Sequence, residues 1–110
     1  MAKKVFVCKL SDLPDSEPVR IDLEDRELLV LKTGRVVYVT DVWCTHQRSD
    51  LTLGIIDLNE LSLRCALHQA RFRISDGAVL EGPQGSSPDS IPRLKTYDLV
   101  IEDDSLYLKL

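Results

Sequence analysis

The sequence predicts a small all-β domain, and three observations support that fold class. Short apolar runs recur along the chain with turn residues between them. No stretch of useful length shows the 3.6-residue periodicity of an amphipathic helix. The chain has 110 residues, of which 44% are hydrophobic and 29% charged, as expected for a single globular domain.

Each predicted strand is bounded by turn residues, and three of the turns are especially clear. Thr33-Gly34 and Asp76-Gly77 favour tight hairpins, and Asp103-Asp104-Ser105 closes a final one. Residues 82–92 are rich in proline and glycine and are predicted to be a loop, while Leu10–Leu13 could form a single helical turn. The predicted strands are Lys4–Lys9, Pro18–Asp22, Glu27–Lys32, Arg35–Thr40, Ile55–Asp57, Leu61–Arg64, Arg71–Ser75, Ala78–Leu80, Thr96–Glu102 and Leu106–Leu110.

Charge and hydropathy exclude two classes of protein. A net charge of −4 argues against nucleic-acid binding, which needs clustered lysine and arginine, and suits a partner with a basic docking patch. No stretch approaches the ~18 apolar residues that span a bilayer. The first ten residues lack the apolar core of a signal peptide, so we expect a cytoplasmic protein.

The two histidines carry the strongest functional signal because each follows closely after a cysteine. The pairs are Cys44-Thr45-His46 and Cys65-Ala66-Leu67-His68, and 18 residues lie between His46 and Cys65. That interval is long enough to fold back as a hairpin and bring both pairs to one point. The spacing therefore predicts a four-ligand metal site.

Two kinds of metal site fit these ligands. A structural zinc site usually groups its two cysteines on one turn and its two histidines on a following helix. A Rieske [2Fe–2S] centre holds one iron by two cysteines and the other by two histidines, so each loop can supply one of each. The alternating order of ligands favours the iron–sulfur cluster.

At these residues the chain resembles the Rieske ferredoxin family. The resemblance rests on Cys44-Thr45-His46, on Cys65-Ala66-Leu67-His68-Gln69 and on Phe72, and it covers essentially the whole chain. It implies an antiparallel, sandwich-like basal domain with a small inserted cluster-binding subdomain. The basal part would comprise residues 1–42 and 83–110, and the subdomain residues 43–82.

The resemblance also implies the cofactor and the role of each ligand. One Rieske [2Fe–2S] cluster would be held by Cys44 and Cys65 at the inner iron and by His46 and His68 at the outer iron. The protein would be a one-electron carrier that takes electrons from a flavin-dependent ferredoxin reductase and passes them to the terminal oxygenase of an aromatic-ring-hydroxylating dioxygenase system. Both partners would dock transiently around the two histidines of a monomer.

An oxygenase itself is not expected. Its mononuclear iron would need two further histidines and a carboxylate, yet the chain has only two histidines in all. We therefore expect a carrier and not an enzyme.

Departures from the family pattern predict a low reduction potential. Respiratory Rieske proteins have a disulfide between the ligand loops, and its positions here would be Ser49 and Leu67. They also have Ser and Tyr hydroxyls near the sulfurs, where this chain has Ala70 and Phe72. Fewer hydrogen bonds to sulfur stabilise the reduced cluster less, so we expect the low end of the Rieske range, around −150 mV.

Other residues near the site have two interpretations each. Arg48, where relatives often have glycine, is either a solvated loop residue or a docking contact. Trp43 is expected to be a core residue more than a redox relay, and Cys8 a small buried core residue. Gly82-Pro83 matches the start of the loop that covers the cluster in the family.

Two alternative functions stay open on the sequence. A small Rieske-like subunit of an assimilatory nitrite reductase would have a similar length and fold, but would purify with a large haem-containing subunit. A structural zinc module would be colourless and redox-silent.

Overall fold

The computed structural model of the chain describes residues 3–46 and 48–110, and residues 1, 2 and 47 lie outside the description. The described residues form the ten strands β1 (Lys4–Lys9), β2 (Pro18–Asp22), β3 (Glu27–Thr33), β4 (Val36–Asp41), β5 (Ile55–Asp57), β6 (Ser62–Arg64), β7 (Arg71–Arg73), β8 (Val79–Glu81), β9 (Asp98–Glu102) and β10 (Ser105–Lys109). Within this part of the chain they make three antiparallel sheets, in the orders β1-β10-β9, β2-β3-β4 and β5-β6-β7-β8. The all-β prediction is confirmed.

The middle strand β3 divides the interior into two cores. Successive side chains of a strand point to opposite faces, and in β3 both faces are covered. Leu28 and Val30 face one core while Leu29 and Leu31 face the other, and all four are fully buried. A strand buried on both faces has a continuous apolar sequence, which explains the run Leu28-Leu29-Val30-Leu31.

The two cores use different parts of the chain. The basal core joins β3 to the sheet made by the chain ends, and the site core joins β3 to the four-stranded sheet and the segments that flank it. Two of the predicted metal ligands, Cys44 and Cys65, belong to the site core. The basal core comprises Val7, Leu13, Leu28, Val30, Val39, Leu106 and Leu108; the site core comprises Leu29, Leu31, Val42, Cys44, Leu51, Leu63, Cys65, Ala70, Phe72, Ile74 and Leu94.

The four-stranded sheet lies inside the segment 43–82 that was predicted to bind the cluster. Its strands pair only with one another among the described residues. The site core nevertheless crosses from this sheet to β3, so the two parts share an interior. The division at residues 43 and 82 stays a prediction.

Several predicted strand bounds were wrong by one or two residues, each for a local reason. β7 ends at Arg73 instead of Ser75, since the Gly77 N–H donates to the Arg73 carbonyl at 2.8 Å and starts the turn there. β9 begins at Asp98 instead of Thr96, which makes only an isolated bridge with Thr40. Leu61 has a left-handed backbone, φ 50°, and precedes β6 instead of starting it.

The single helical turn expected near residue 10 is present as a 3₁₀ turn at Leu10–Asp12, and three further 3₁₀ turns occur at Leu51–Leu53, Pro83–Gly85 and Pro88–Ser90. Cys8 packs against the basal core but is only half-buried. The sequence analysis expected a buried residue there. Among residues 3–46 and 48–110, no helix has the length and apolar character needed to span a bilayer.

Candidate metal centre

The two cysteine–histidine pairs lie in two loops that begin with the same hydrogen bond. In the first ligand loop (residues 44–49) the Cys44 N–H donates to the Ser49 carbonyl at 3.0 Å. In the second ligand loop (residues 65–70) the Cys65 N–H donates to the Ala70 carbonyl at 2.8 Å. Each loop therefore has six residues, a cysteine at its first position and a histidine inside it.

The base of each loop is fixed by paired strands. The second loop joins β6 to β7, whose residues Arg64 and Arg71 are partners in the ladder. The first loop follows β4, and its base is closed by the Trp43–Asp50 bridge and by the Leu51 N–H, which donates to the Val42 carbonyl at 2.8 Å. Both cysteines thus start from ordered backbone.

The two cysteine side chains are buried at the inner end of the site. Cys44 is 6% exposed and Cys65 2% exposed, and neither lies in a disulfide within the described part of the chain. Buried thiolates in an apolar core need a cation beside them, which is what an iron ion would supply.

The two imidazoles lie next to each other farther out. The ring centroids of His46 and His68 are 4.9 Å apart and the ring planes meet at 75°, an edge-to-face arrangement. His46 is exposed and His68 is half-buried. Two histidines that are 22 positions apart in the sequence are thereby brought to one place, as the sequence predicted.

One atom of His68 is available to bind a metal. The Nδ1 atom is buried and has no hydrogen-bond partner among the described residues. An unpaired buried polar atom costs about 1–3 kcal/mol. Coordination of a metal through that nitrogen would give it a partner, so the residues present fit a metal group at this position.

The described residues contain no group of three or more His, Cys, Asp or Glu side chains that could surround a single metal ion. A Rieske centre does not require such a group, because each of its irons takes only two protein ligands. Two buried thiols and two adjacent imidazoles match that division into pairs.

A third segment, the covering loop (residues 82–92), holds both ligand loops. The Gln84 N–H donates to the His68 carbonyl at 2.6 Å. At the other end of the covering loop, the Thr45 hydroxyl donates to the Pro92 carbonyl at 2.7 Å. The sequence predicted a covering loop here, but not these two contacts.

The covering loop is itself compact at Gly82. The Gly82 N–H donates to the Ser86 carbonyl at 3.1 Å. A Cβ atom at residue 82 would lie 2.4 Å from the Ser87 carbonyl oxygen and 2.6 Å from that of Ser86. Only glycine permits this close approach of backbone to backbone.

Trp43, directly before the first ligand, has two guanidinium groups over its ring. The guanidinium carbon of Arg48 is 4.4 Å from the ring centroid and that of Arg20 is 4.7 Å from it. The ring packs against the site core and is half-buried, which agrees with its predicted core role. The contribution of Arg20 was missed because β2 is distant in sequence and shows no local sign of it.

The carboxylates around this stack hold Arg20 in place. Its guanidinium donates to Asp22 at 2.8 Å and to Asp50 at 3.1 Å. Partial burial raises the pKa of Asp50, but hydrogen bonds from Thr52 and Arg20 outweigh it and leave the pKa below its ordinary value. Asp50 is therefore ionised when it closes the base of the first ligand loop.

A second charged group supports the other ligand loop. Glu81 accepts hydrogen bonds from Arg71 at 2.5 Å and from Arg64 at 2.8 Å, and these lower the pKa of its carboxyl. Arg64 also donates to the Gln69 carbonyl at 3.0 Å. This network lines an open cleft of about 360 Å³ on the four-stranded sheet, which is formed by Ile55, Asp57, Glu60, Ser62, Arg64, Arg71 and Glu81.

The positions that distinguish high-potential relatives are apolar here. Ala70 and Phe72 are fully buried in the site core and bring no hydroxyl to it. The expected low potential stays a prediction.

Comparison with known proteins decides the family. Residues 3–98 match the family model of the Rieske [2Fe-2S] domain. The chain belongs to the Rieske [2Fe-2S] family. The cofactor of this Rieske protein is one [2Fe–2S] cluster, and the predicted fold is that of its relatives.

Relatives of similar length are ferredoxins. The chain is 30% identical over 101 residues to the ferredoxin component of the naphthalene 1,2-dioxygenase system of Pseudomonas putida, covering 92% of this chain and 89% of the relative. The solved ferredoxin of Sphingomonas yanoikuyae B1 is 29% identical, with a TM-score of 0.80 and coverage of 98% of this chain and 99% of that one. The prediction of an electron-transfer component instead of an enzyme is confirmed.

Two more distant structures share the fold. One is a complex of reduced oxygenase and oxidised ferredoxin in carbazole 1,9a-dioxygenase, 22% identical with a TM-score of 0.76 over 96% of this chain and 91% of that one. The other is described as the small subunit of an NADPH nitrite reductase, also 22% identical with a TM-score of 0.76, over 96% and 97% of the two chains. The nitrite reductase alternative thus has support from fold alone.

Proposed function

We propose that this Rieske ferredoxin carries single electrons from a flavin-dependent ferredoxin reductase to the terminal oxygenase of an aromatic-ring-hydroxylating dioxygenase system. The observation that carries the proposal is the pair of cysteines buried in one core, each at the start of a loop that also bears one of two adjacent imidazoles, of which His46 is exposed. Relatives that match nearly the whole chain are ferredoxin components of such systems.

The proposed ligands are Cys44 and Cys65 for the inner iron and His46 and His68 for the outer iron. When bound, the cluster accepts and releases one electron. The two thiolates are held in the site core, which excludes water, and the buried Nδ1 of His68 gains the partner that it lacks among the described protein atoms. A plant-type ferredoxin has four thiolate ligands, whereas this site would have only two. It therefore carries less negative charge and accepts an electron more readily.

The exposed imidazole of His46 is the proposed point of electron exchange. Reductase and oxygenase would dock in turn around His46 and His68, through the small interfaces that are typical of transient redox complexes. The existence of a ferredoxin–oxygenase complex in carbazole 1,9a-dioxygenase supports an oxygenase as one partner. The carrier would work as a monomer in the cytoplasm, where thiols stay reduced before the cluster is assembled.

The proposal also keeps the domain division. Residues 43–82 would form the cluster-binding subdomain, and residues 1–42 and 83–110 the basal part. The four-stranded sheet within 55–81 supports this division, and the covering loop would be the basal segment that closes over the site.

The test is isolation of the tagged chain from its native cells, followed by redox titration. We expect the protein to purify alone, to accept electrons from NADH through a ferredoxin reductase, and to titrate as one electron per cluster near the low end of the Rieske range, about −150 mV. A midpoint above about +100 mV would overturn the predicted potential. Stable co-purification with a large haem-containing subunit would replace the proposal by the nitrite reductase alternative.

A further inference from the structure

We propose that Arg48, held on the ring of Trp43, binds a surface carboxylate of the redox partner and so fixes that partner beside His46. This inference rests on the proposed function, because it names the chemistry that the docking surface recognises. The partner would present an aspartate or glutamate side chain, and a guanidinium binds such a carboxylate through two parallel N–H groups.

Arg48 has the required position. It lies two residues after His46 in the first ligand loop, and its side chain is 71% exposed. The other side of this loop is buried, since Cys44 belongs to the site core. His46 in the same loop is exposed as well, so a partner that covers this loop would meet both side chains.

The side chain is also ordered before any partner arrives. Its guanidinium stacks on Trp43, at 4.4 Å from the ring centroid, and Trp43 is supported by Arg20 and the site core. An exposed arginine normally loses side-chain entropy when it is fixed in a complex. Stacking reduces that loss.

The two arginines of the stack differ in how far their donors are used. Arg20 is 34% exposed and has short contacts to two carboxylates, Asp22 at 2.8 Å and Asp50 at 3.1 Å. Arg48 has one long contact among the described residues, to Glu27 at 3.5 Å. Since a guanidinium carries five N–H donors, Arg48 keeps the capacity to bind a further carboxylate, whereas Arg20 serves to hold the ring.

The net charge of the molecule is opposite in sign to the charge of Arg48. The chain has a net charge of −4, so an anionic group is repelled by the protein as a whole. An arginine in the same loop as the exposed His46 would give local attraction near the proposed point of electron exchange. That arrangement selects orientation more than it accelerates encounter.

The experiment measures electron transfer from the reduced holoprotein to two inorganic oxidants of opposite charge. Ferricyanide, an anion, and tris(phenanthroline)cobalt(III), a cation, each take one electron from the cluster and are reduced to the iron(II) and cobalt(II) complexes. Second-order rates are measured at low and high salt by stopped flow. The midpoint potential of each variant is recorded so that a change of driving force is not mistaken for a change of local charge.

The variant is Arg48→Gln and the matched control is Arg35→Gln. Arg35 is exposed in the β3–β4 turn. It lies at the opposite end of β3 from Glu27, a separation of about 20 Å at the rise of a strand. Both variants change the net charge equally. We expect Arg48→Gln to slow ferricyanide about threefold or more at low salt and to accelerate the cobalt complex, while Arg35→Gln has little effect on either.

A second readout does not depend on electron transfer. Trp43 is the only tryptophan in the chain, so its emission in the holoprotein reports the stack. Arg48→Gln should shift that emission, whereas Arg48→Lys should preserve the ferricyanide rate because it keeps the charge. Equal rates for the Arg48→Gln and Arg35→Gln proteins would mean that Arg48 is merely a solvated loop residue and would overturn the inference. A wild-type protein with no reducible cluster would instead refute the proposed function.

Discussion

The two ligand loops begin with the same cysteine-to-carbonyl hydrogen bond and are then stabilised by different means. The first loop is held mainly by side chains, through the Thr45 hydroxyl on Pro92 and the stacking of Arg48 on Trp43. The second loop has more backbone contacts, from the Gln84 N–H to the His68 carbonyl and from the Gln69 N–H to the Cys65 carbonyl, besides one side-chain contact, from Arg64 to the Gln69 carbonyl.

This difference suits two separate tasks. Backbone contacts do not depend on residue type, so the second loop is a constant support for the half-buried His68. Side-chain contacts change with sequence, and the first loop also carries the exposed His46. We infer that the second loop fixes the cluster while the first adapts the surface to a partner.

The largest expected effect is loss of the cluster. His46→Ala and His68→Ala should each abolish the Rieske EPR signal of the dithionite-reduced protein, because each removes one of only two imidazoles in the chain. Cys8→Ser is the control: Cys8 lies in β1 with the basal core, and that variant should keep the full signal. Normal cluster assembly in the His68→Ala protein would break the assignment of both loops.

The next effect is on the covering loop that joins the two ligand loops. Gly82→Ala should destabilise the protein by about 1–3 kcal/mol, since its new Cβ would collide with the carbonyls of Ser86 and Ser87. The control in the same loop is Gly85→Ala, which meets no atom within 4 Å and introduces only the strain of φ +80°. In denaturant unfolding, the free energy of unfolding should be lower for Gly82→Ala than for Gly85→Ala. The reverse order would contradict the described packing.

A smaller loss of stability is expected from a substitution that affects the first ligand loop and not the second. Thr45→Val removes the hydroxyl that donates to Pro92 and should cost about 1 kcal/mol. Hydrogen exchange should then accelerate at the Cys44 amide and stay unchanged at the Cys65 amide. Equal acceleration at both would show that the loops are not independently held.

A gain of stability is expected at Gln69 in the second loop. This exposed residue has a left-handed backbone, φ 65°, which costs a non-glycine residue about 1 kcal/mol. Gln69→Gly keeps both backbone hydrogen bonds and should raise the free energy of unfolding by about 0.5–1 kcal/mol. Asp103→Gly, at φ 53° in the distant β9–β10 turn, should give a similar gain without slowing exchange at Cys65. If Gln69→Gly lowered the free energy of unfolding, the backbone of residue 69 would not be strained.

The smallest effect depends on pH and concerns Asp50 at the base of the first loop. Its folded pKa lies below the ordinary value of 3.8, so its contribution is complete above pH 3.8 and is lost as the pH falls through the folded value. The difference in unfolding free energy between wild type and Asp50→Asn should therefore shrink below pH 3.8. A difference that is constant down to pH 2 would contradict the shifted pKa.

The sequence predicted features that depend on neighbouring residues. Turn residues such as Thr33-Gly34 placed the hairpins, and the spacing of Cys44, His46, Cys65 and His68 placed the two ligand loops. These signals are local, because a turn or a loop is specified by the residues within it.

The sequence did not predict what holds the loops together. The stacking of Arg20 on Trp43 joins residues 23 positions apart, and the contact of Gln84 with His68 uses a backbone N–H that every residue except proline possesses. Neither leaves a pattern along the chain. The left-handed Gln69 was also unpredictable, because glycine is the usual residue there.

Ligation of the cluster by both histidines can be measured by electron–nuclear double resonance on the dithionite-reduced protein grown with ¹⁵N-labelled histidine. Since the chain contains only two histidines, any strongly coupled ¹⁵N must come from His46 or His68. We expect two histidine nitrogens coupled to the cluster, together with equal amounts of iron and acid-labile sulfide. A cluster with no coupled histidine nitrogen, or a colourless protein that contains zinc, would contradict this expectation.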